Sequence, residues 1–284
     1  MNLKSRTKRV AAYAAALMLA AMPASNIFAQ SDDFGVWTTI DAKKKLTDKL
    51  QFGIEGELRT IDGVSEVARR SLGLSMSYKF TKWFKADIGY VYIKSHNEQE
   101  KNIKGYAGED AMGVPVYNYN LDHAYWEERD RFYIGATVDW KIGRVKFSLR
   151  ERLQYQYTHS ALVYEDKYVF SPVDRDDPLS PVAPDDDASK SEAELKDSKH
   201  STLIRSRLTA KWDIKDCKLE PFASVELFTR TDEWCGHDKL RYRLGAEYKI
   251  DKKNDISIYY MYQDNHSSSS PAGHAIGIGY SFEL

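Results

Sequence analysis

Nine arginines stand at alternating positions in this chain: Arg59, Arg69, Arg131, Arg150, Arg152, Arg205, Arg207, Arg241 and Arg243. Glu55, Glu57, Glu226 and Glu247, with Asp87 and Asp139, fall on the same polar faces. A guanidinium keeps its charge and carries five donors in a planar fork. Such a set either pairs with carboxylates inside a confined space, because a buried charge needs a partner, or lines a passage or pocket that selects anions.

Other chemistry is less well supported by spacing. All seven histidines (His96, His123, His159, His200, His237, His266, His274) fall in expected loops or at strand ends. In "NHSSSS", His266 neighbours Ser267 and Ser268, and "THS" repeats the pairing with His159 and Ser160. A Ser–His pair near a membrane rim is the machinery for attack on a lipid ester, and it superficially resembles the His and Ser of lipid A deacylases. No acidic residue stands at a telling distance, and adjacent Ser and His are common in a Ser-rich loop. His266 and Ser268 are kept as the only catalytic candidates. Asp174, Asp176, Asp177, Asp185, Asp186 and Asp187 match no calcium-loop spacing, and "WCGH" is too short for a zinc site. No metal and no cofactor are expected.

The polar residues are positioned by strands. In "LQFGIEGELRT", Leu50, Phe52, Ile54 and Leu58 alternate with Gln51, Glu55, Glu57 and Arg59. "ARRSLGLSMSYKF", "RFYIGATVDWK" and "LRYRLGAEYKI" repeat the period of two. Strands are expected at about 34–44, 49–60, 68–80, 83–94, 128–141, 144–157, 201–213, 218–230, 239–250, 255–264 and 273–284. Several exceed the usual ~5–6 residues and match the ~9–11 of a tilted bilayer crossing. Short turns ("KLTD", "TKW", "KIGR", "IKDCK", "DKKND") alternate with the longer connections 61–67, 95–126, 158–200, 231–238 and 265–272. That is the pattern of a barrel with short periplasmic turns and long outer loops. The segment 171–200, "SPVDRDDPLSPVAPDDDASKSEAELKDSKH", holds four of the eight prolines and nine acids, the composition of a mobile, solvated loop.

Residues 1–29 have the form of a secretory signal peptide: basic Lys4, Arg6, Lys8 and Arg9, an apolar run from Val10 to Met22, and small-residue exit "PASNIFAQ". The domain is then 30–284. Removing four basic residues from 41 Lys+Arg leaves 37 against 42 Asp+Glu, which argues against a nucleic-acid partner. Mean hydropathy is −0.57, and nothing after the signal approaches the ~20 apolar residues of a membrane helix. Tyr at 19 residues and aromatics at 13% favour strands.

A soluble barrel with its apolar face inward would show the same alternation. Three features place lipid outside. Trp83, Trp140 and Trp212 stand at short-turn ends, as an interfacial girdle does, while Tyr90, Tyr92, Tyr155, Tyr157, Tyr260 and Tyr262 gather near the opposite ends. Glycines such as Gly135, Gly245, Gly277 and Gly279 lie on the polar face, where a narrow lumen needs room for long neighbours. The chain also ends "HAIGIGYSFEL", an amphipathic strand suited to the barrel-insertion machinery.

Two points stay open at the level of sequence. Eleven strands conflict with the even number usual for bacterial barrels. Either 34–44 folds into the lumen, or it pairs parallel with the last strand, or a loop hides another crossing; ten to twelve strands are expected. Glu151 falls on the lipid face, so a bulge or register change is expected near it. Cys217 and Cys235 lie at opposite ends of one strand, roughly 40 Å apart, so no bond between them is expected.

The segments "FGVWTTIDAKKKLTDKLQFGIEGELRT", "RRSLGLSMSYKFTKWFKADIGYVY", "WKIGRVKFSLRERLQYQY" and "RLGAEYKI", with the terminal strand, resemble an uncharacterised outer-membrane β-barrel family, a domain of unknown function of Gram-negative bacteria. The resemblance implies an outer-membrane barrel and carries over no catalytic residue. The expectation is a monomeric all-β antiparallel transmembrane barrel in the cell outer membrane. Its partners are outer-membrane lipid and, during biogenesis, the insertion machinery. It acts as a narrow channel or a structural or surface component. The alternatives are a rim-located lipid-modifying enzyme and a surface-binding protein working through its long loops.

Overall fold

The computed structural model describes residues 34–109, 113, 115–172, 190–231, 237–265 and 273–284. The expected signal peptide, His266, Ser268, Cys235 and the acidic cluster 174–187 lie outside them. The strands, in chain order, are β1 (Phe34–Lys45), β2 (Leu50–Ile61), β3 (Glu66–Lys79), β4 (Phe84–Asn97), β5 (Glu100–Glu109), β6 (Pro115–Asp122), β7 (Tyr125–Ile142), β8 (Val145–Thr158), β9 (Ala161–Pro172), β10 (Lys190–Lys196), β11 (Lys199–Trp212), β12 (Leu219–Arg230), β13 (His237–Lys249), β14 (Asn254–Asn265) and β15 (Gly273–Glu283).

Eleven of these close into a barrel in the order β1-β15-β14-β13-β12-β11-β8-β7-β4-β3-β2. Its polarity is inverted relative to a soluble core. Leu72, Ile88, Ile134 and Ile258 are more than half exposed on the outer wall, while Glu226, Gln154 and Arg241 are buried inside. An outer face of this kind suits lipid, and the chain has the all-β transmembrane-barrel fold.

Three of the short turns are built from one local device. Thr47 accepts from the backbone N–H groups of Lys49 and Leu50, and Thr81 from those of Trp83 and Phe84. Asp251 accepts from Lys253 and Asn254 in the same way. A side-chain oxygen two and three residues before these N–H groups closes the turn without a long loop. At the β7–β8 turn Gly143 takes φ +58°, where a side chain would be strained.

The odd count is resolved by β1. It is antiparallel to β2 but parallel to β15, from Phe34↔His274 to Lys43↔Glu283. The Leu284 N–H then donates to the Lys43 carbonyl at 2.7 Å. Of the three sequence-level options, the parallel pairing is the one found. On the last strand, Ile278, Tyr280 and Leu284 are exposed, and Ala275 and Gly277 turn inward against the lumen.

Two expectations are corrected. The connections 95–126 and 158–200 are not plain loops: they contain β5, β6, β9 and β10, which form a separate four-stranded antiparallel sheet in the order β10-β9-β6-β5. Its core stacks Tyr119 on Tyr168 at 4.6 Å beside Leu121. The expected mobile segment 171–200 is therefore partly strand. Ala193 and Leu195 of β10 register with Tyr164 and Leu162 of β9, and Glu192 is held down to about 2 by hydrogen bonds from Lys167 and Lys190. Glu151 also needs no local slip. It projects from the outer face in unbroken alternation with exposed Leu149, Leu153 and Tyr155, and accepts from the Ser206 hydroxyl at 2.6 Å.

Candidate functional site in the barrel lumen

The period of two that puts Leu, Ile and Tyr on the outer wall puts arginines on the inner one. Glu226 on β12 has Arg207 of β11 and Arg241 of β13 directly beside it in register. Arg207 grips the carboxylate with both Nε and Nη2 at 3.0 Å. Arg205 donates at 2.9 Å, Arg150 of β8 at 3.1 Å and Arg241 at 3.4 Å. Arg243 approaches to 3.8 Å, within ion-pair range but beyond a hydrogen bond. Five guanidiniums thus converge on one carboxylate that is only 2% exposed.

The remaining candidates fall into smaller groups. Glu57 pairs with Arg59 at 2.9 Å, and Arg69 stands 3.6 Å away. Arg152 donates to Asp87 at 2.8 Å. Arg131 donates to the amide oxygen of Gln156 at 2.8 Å. Glu247 takes Lys211 at 2.6 Å in place of an arginine, and Glu55 lines the same cavity. Trp83, Trp140 and Trp212 are exposed at or beside the short turns, with Trp140 stacked on Phe147 at 5.5 Å.

Sequence reasoning missed the aromatic and amide residues that hold the guanidinium planes. Trp37 on β1 lies 3.5 Å beneath Arg59 and 4.9 Å from Arg241. Phe228 lies 4.7 Å from Arg205 and 4.9 Å from Arg241. Tyr133 carries Arg152, and Tyr259 carries Arg243. Gln154 and Gln263 accept from Arg205 and Arg241. Parity would have found them, since Trp37 shares a face with Asp41, Phe228 with Glu226 and Tyr133 with Arg131. Glycines make the space: a methyl at Gly277 would sit inside the Tyr259 ring.

The nine arginines, with Tyr133, Gln154 and Tyr259, line a cavity of about 660 Å³. Eleven lysines and arginines against five carboxylates line it, and adding Glu226 and Asp87 behind the wall still leaves positive charge in excess. The arrangement offers donors and positive charge to a solute; among the described residues of the lumen no Ser–His or Cys–His pair supplies a nucleophile.

The chain belongs to the family described as Protein of unknown function (DUF2490), whose model matches residues 34–273. No curated protein matches it. Among solved structures it is similar to the translocator domain of autotransporter NalP from Neisseria meningitidis. That match has 12% identity and a TM-score of 0.51, and covers 84% of this chain and 76% of that one. It is also similar to the beta domain of the Bordetella autotransporter BrkA, at 10% identity and TM-score 0.47, covering 84% and 85%. At these identities the NalP likeness speaks for the barrel fold alone.

Proposed function

We propose that this protein is an outer-membrane β-barrel, exported by the signal peptide at 1–29, whose lumen is a narrow passage preferring anions. The observation that carries the reading is the sharing of Glu226 among five arginines. A lumen meant only to be filled would match its charges, because each buried guanidinium without a counter-charge costs several kcal/mol. Here basic residues exceed acids around an open cavity, and a ring of fixed positive charge raises the local concentration of anions and repels cations. A wide diffusion pore is not the reading, since such porins use ~16–18 strands and this barrel has eleven.

Planar-bilayer recording of the full chain tests it. Under a KCl gradient the reversal potential is expected to lie on the chloride side, and to move toward zero in Arg150→Ala and Arg207→Ala. A bilayer that stays closed at ordinary voltages, or a cation preference, overturns the passage.

A further inference from the structure

Resting on that reading, we propose that Arg150, Arg207 and Arg243 form a binding site for a phosphate-class oxyanion on the lumen side of Glu226. The donor inventory points there. Two carboxylate oxygens offer about four lone-pair positions, and five hydrogen bonds from Arg150, Arg205, Arg207 and Arg241 already crowd them. Gln154 and Gln263 absorb further donors of Arg205 and Arg241. Donors are still left over: among the described residues the Nε groups of Arg150, Arg205 and Arg243 are buried without a hydrogen-bond partner, and Arg243 reaches Glu226 only at 3.8 Å. All three arginines line the cavity and lie within ion-pair range of one carboxylate, so one small anion spans them.

The site is built rather than incidental. Arg243 stands over the Tyr259 ring at 5.3 Å, and Tyr259 is seated in space left by Gly245 and Gly277. Arg207 is fixed by its two-pronged grip on Glu226. Glu226 would oppose an incoming anion, but its single charge is outnumbered five to one and its oxygens face guanidiniums. The three arginines sit on three strands, β8, β11 and β13, of which β8 and β11 are neighbours and β13 lies one strand beyond β12 in the barrel order. A tetrahedral oxyanion, with several oxygens and two charges, answers that geometry better than a planar carboxylate or a halide.

The test uses the full-length protein in detergent, in chloride buffer of constant ionic strength, titrated with inorganic phosphate by calorimetry and by thermal unfolding. Saturable heat and a rising midpoint are expected, with roughly tenfold weaker binding in Arg243→Gln. If Arg243→Gln does not fold, Arg150→Gln carries the same expectation. A phosphate monoester that displaces inorganic phosphate assigns the site to a phosphorylated solute; failure to displace it assigns the free ion. Equal stabilisation by chloride and phosphate, or displacement by acetate as strong as by phosphate, overturns the site. Saturable phosphate binding without bilayer current keeps the site and removes the passage. Anion-selective current without saturable phosphate binding does the reverse.

Discussion

Trp37 and Arg241 sit on strands three apart in the barrel order, β1 and β13, yet the guanidinium lies 4.9 Å from the indole centroid. Arg59 covers the same indole at 3.5 Å. The parallel strand that closes the barrel therefore also delivers an aromatic plate to the arginine network. Each stacked cation contributes on the order of 1 kcal/mol when partly desolvated. Trp37→Leu is expected to lower unfolding stability by about 1–3 kcal/mol, measured by denaturant titration in detergent. An unchanged midpoint would mean that β1 is held by its backbone alone.

The counter-charge at Glu226 leads to a second expectation. Removing one partner of a buried charge set costs about 3–5 kcal/mol, because the others remain. Glu226→Gln is expected to fall in that range and Glu57→Gln below it, since Glu57 serves only Arg59 closely. If Glu226→Gln costs less than about 1 kcal/mol, lumen water already solvates the arginines and the carboxylate is not their main counter-ion.

Glu151 and Ser206 present the opposite situation, a polar pair on the apolar outer wall. An acidic side chain facing lipid is destabilising, by less than the ~2–4 kcal/mol of a midplane Lys or Arg. Glu151→Leu is therefore expected to stabilise the barrel by about 1–2 kcal/mol, and Ser206→Ala to destabilise it by removing the donor. Loss of stability in Glu151→Leu, read by unfolding in lipid vesicles, would contradict the placement of this face against lipid.

Asp251 gives an expectation in pH. The Lys253 N–H, then the Asn254 side chain and N–H, hold its carboxyl below the usual carboxylate range. A depressed folded-state pKa contributes stability that is present above the unfolded value, ~3.9, and is lost as pH falls through the folded value. The stability difference between wild type and Asp251→Ala is expected to be constant at pH 5–7 and to shrink below about pH 4. A difference that persists at pH 3 would locate the role of Asp251 in turn geometry and not in charge.

Much of this was legible in the chain because lipid, lumen and strand impose a strict period of two. Leu72, Leu74 and Met76, or Arg205 and Arg207, announce their faces without tertiary information. What escaped followed from two other causes. The strands β5, β6, β9 and β10 lie in connections whose charge and proline content hide short pairing segments such as Lys190–Lys196. Trp37, Phe228 and Tyr133 were missed because an aromatic residue is expected on the lipid side, whereas here it stacks beneath a guanidinium. Which carboxylate serves which arginine depends on spatial neighbours, so Glu226 could be placed on the inner face but not recognised as the shared centre.

The parallel closure can be fixed covalently. Thr38 and Ile278 are register partners on β1 and β15, and both face outward. With Cys217 and Cys235 replaced by Ser, the double substitution Thr38→Cys and Ile278→Cys brings two thiols within the Cα separation a disulfide tolerates, about 4.4–6.8 Å. Mild oxidation is expected to close a loop over nearly the whole described chain, seen as faster migration of the unfolded protein on a non-reducing gel. The off-register pair Thr38→Cys with Phe282→Cys lies four residues away along the strand, about 13 Å, and is expected to stay reduced. Cross-linking of the off-register pair instead, or of neither, would remove β1 from its parallel place beside β15. The eleven-stranded closure would go with it, and so would the position of Trp37 under Arg59 and Arg241.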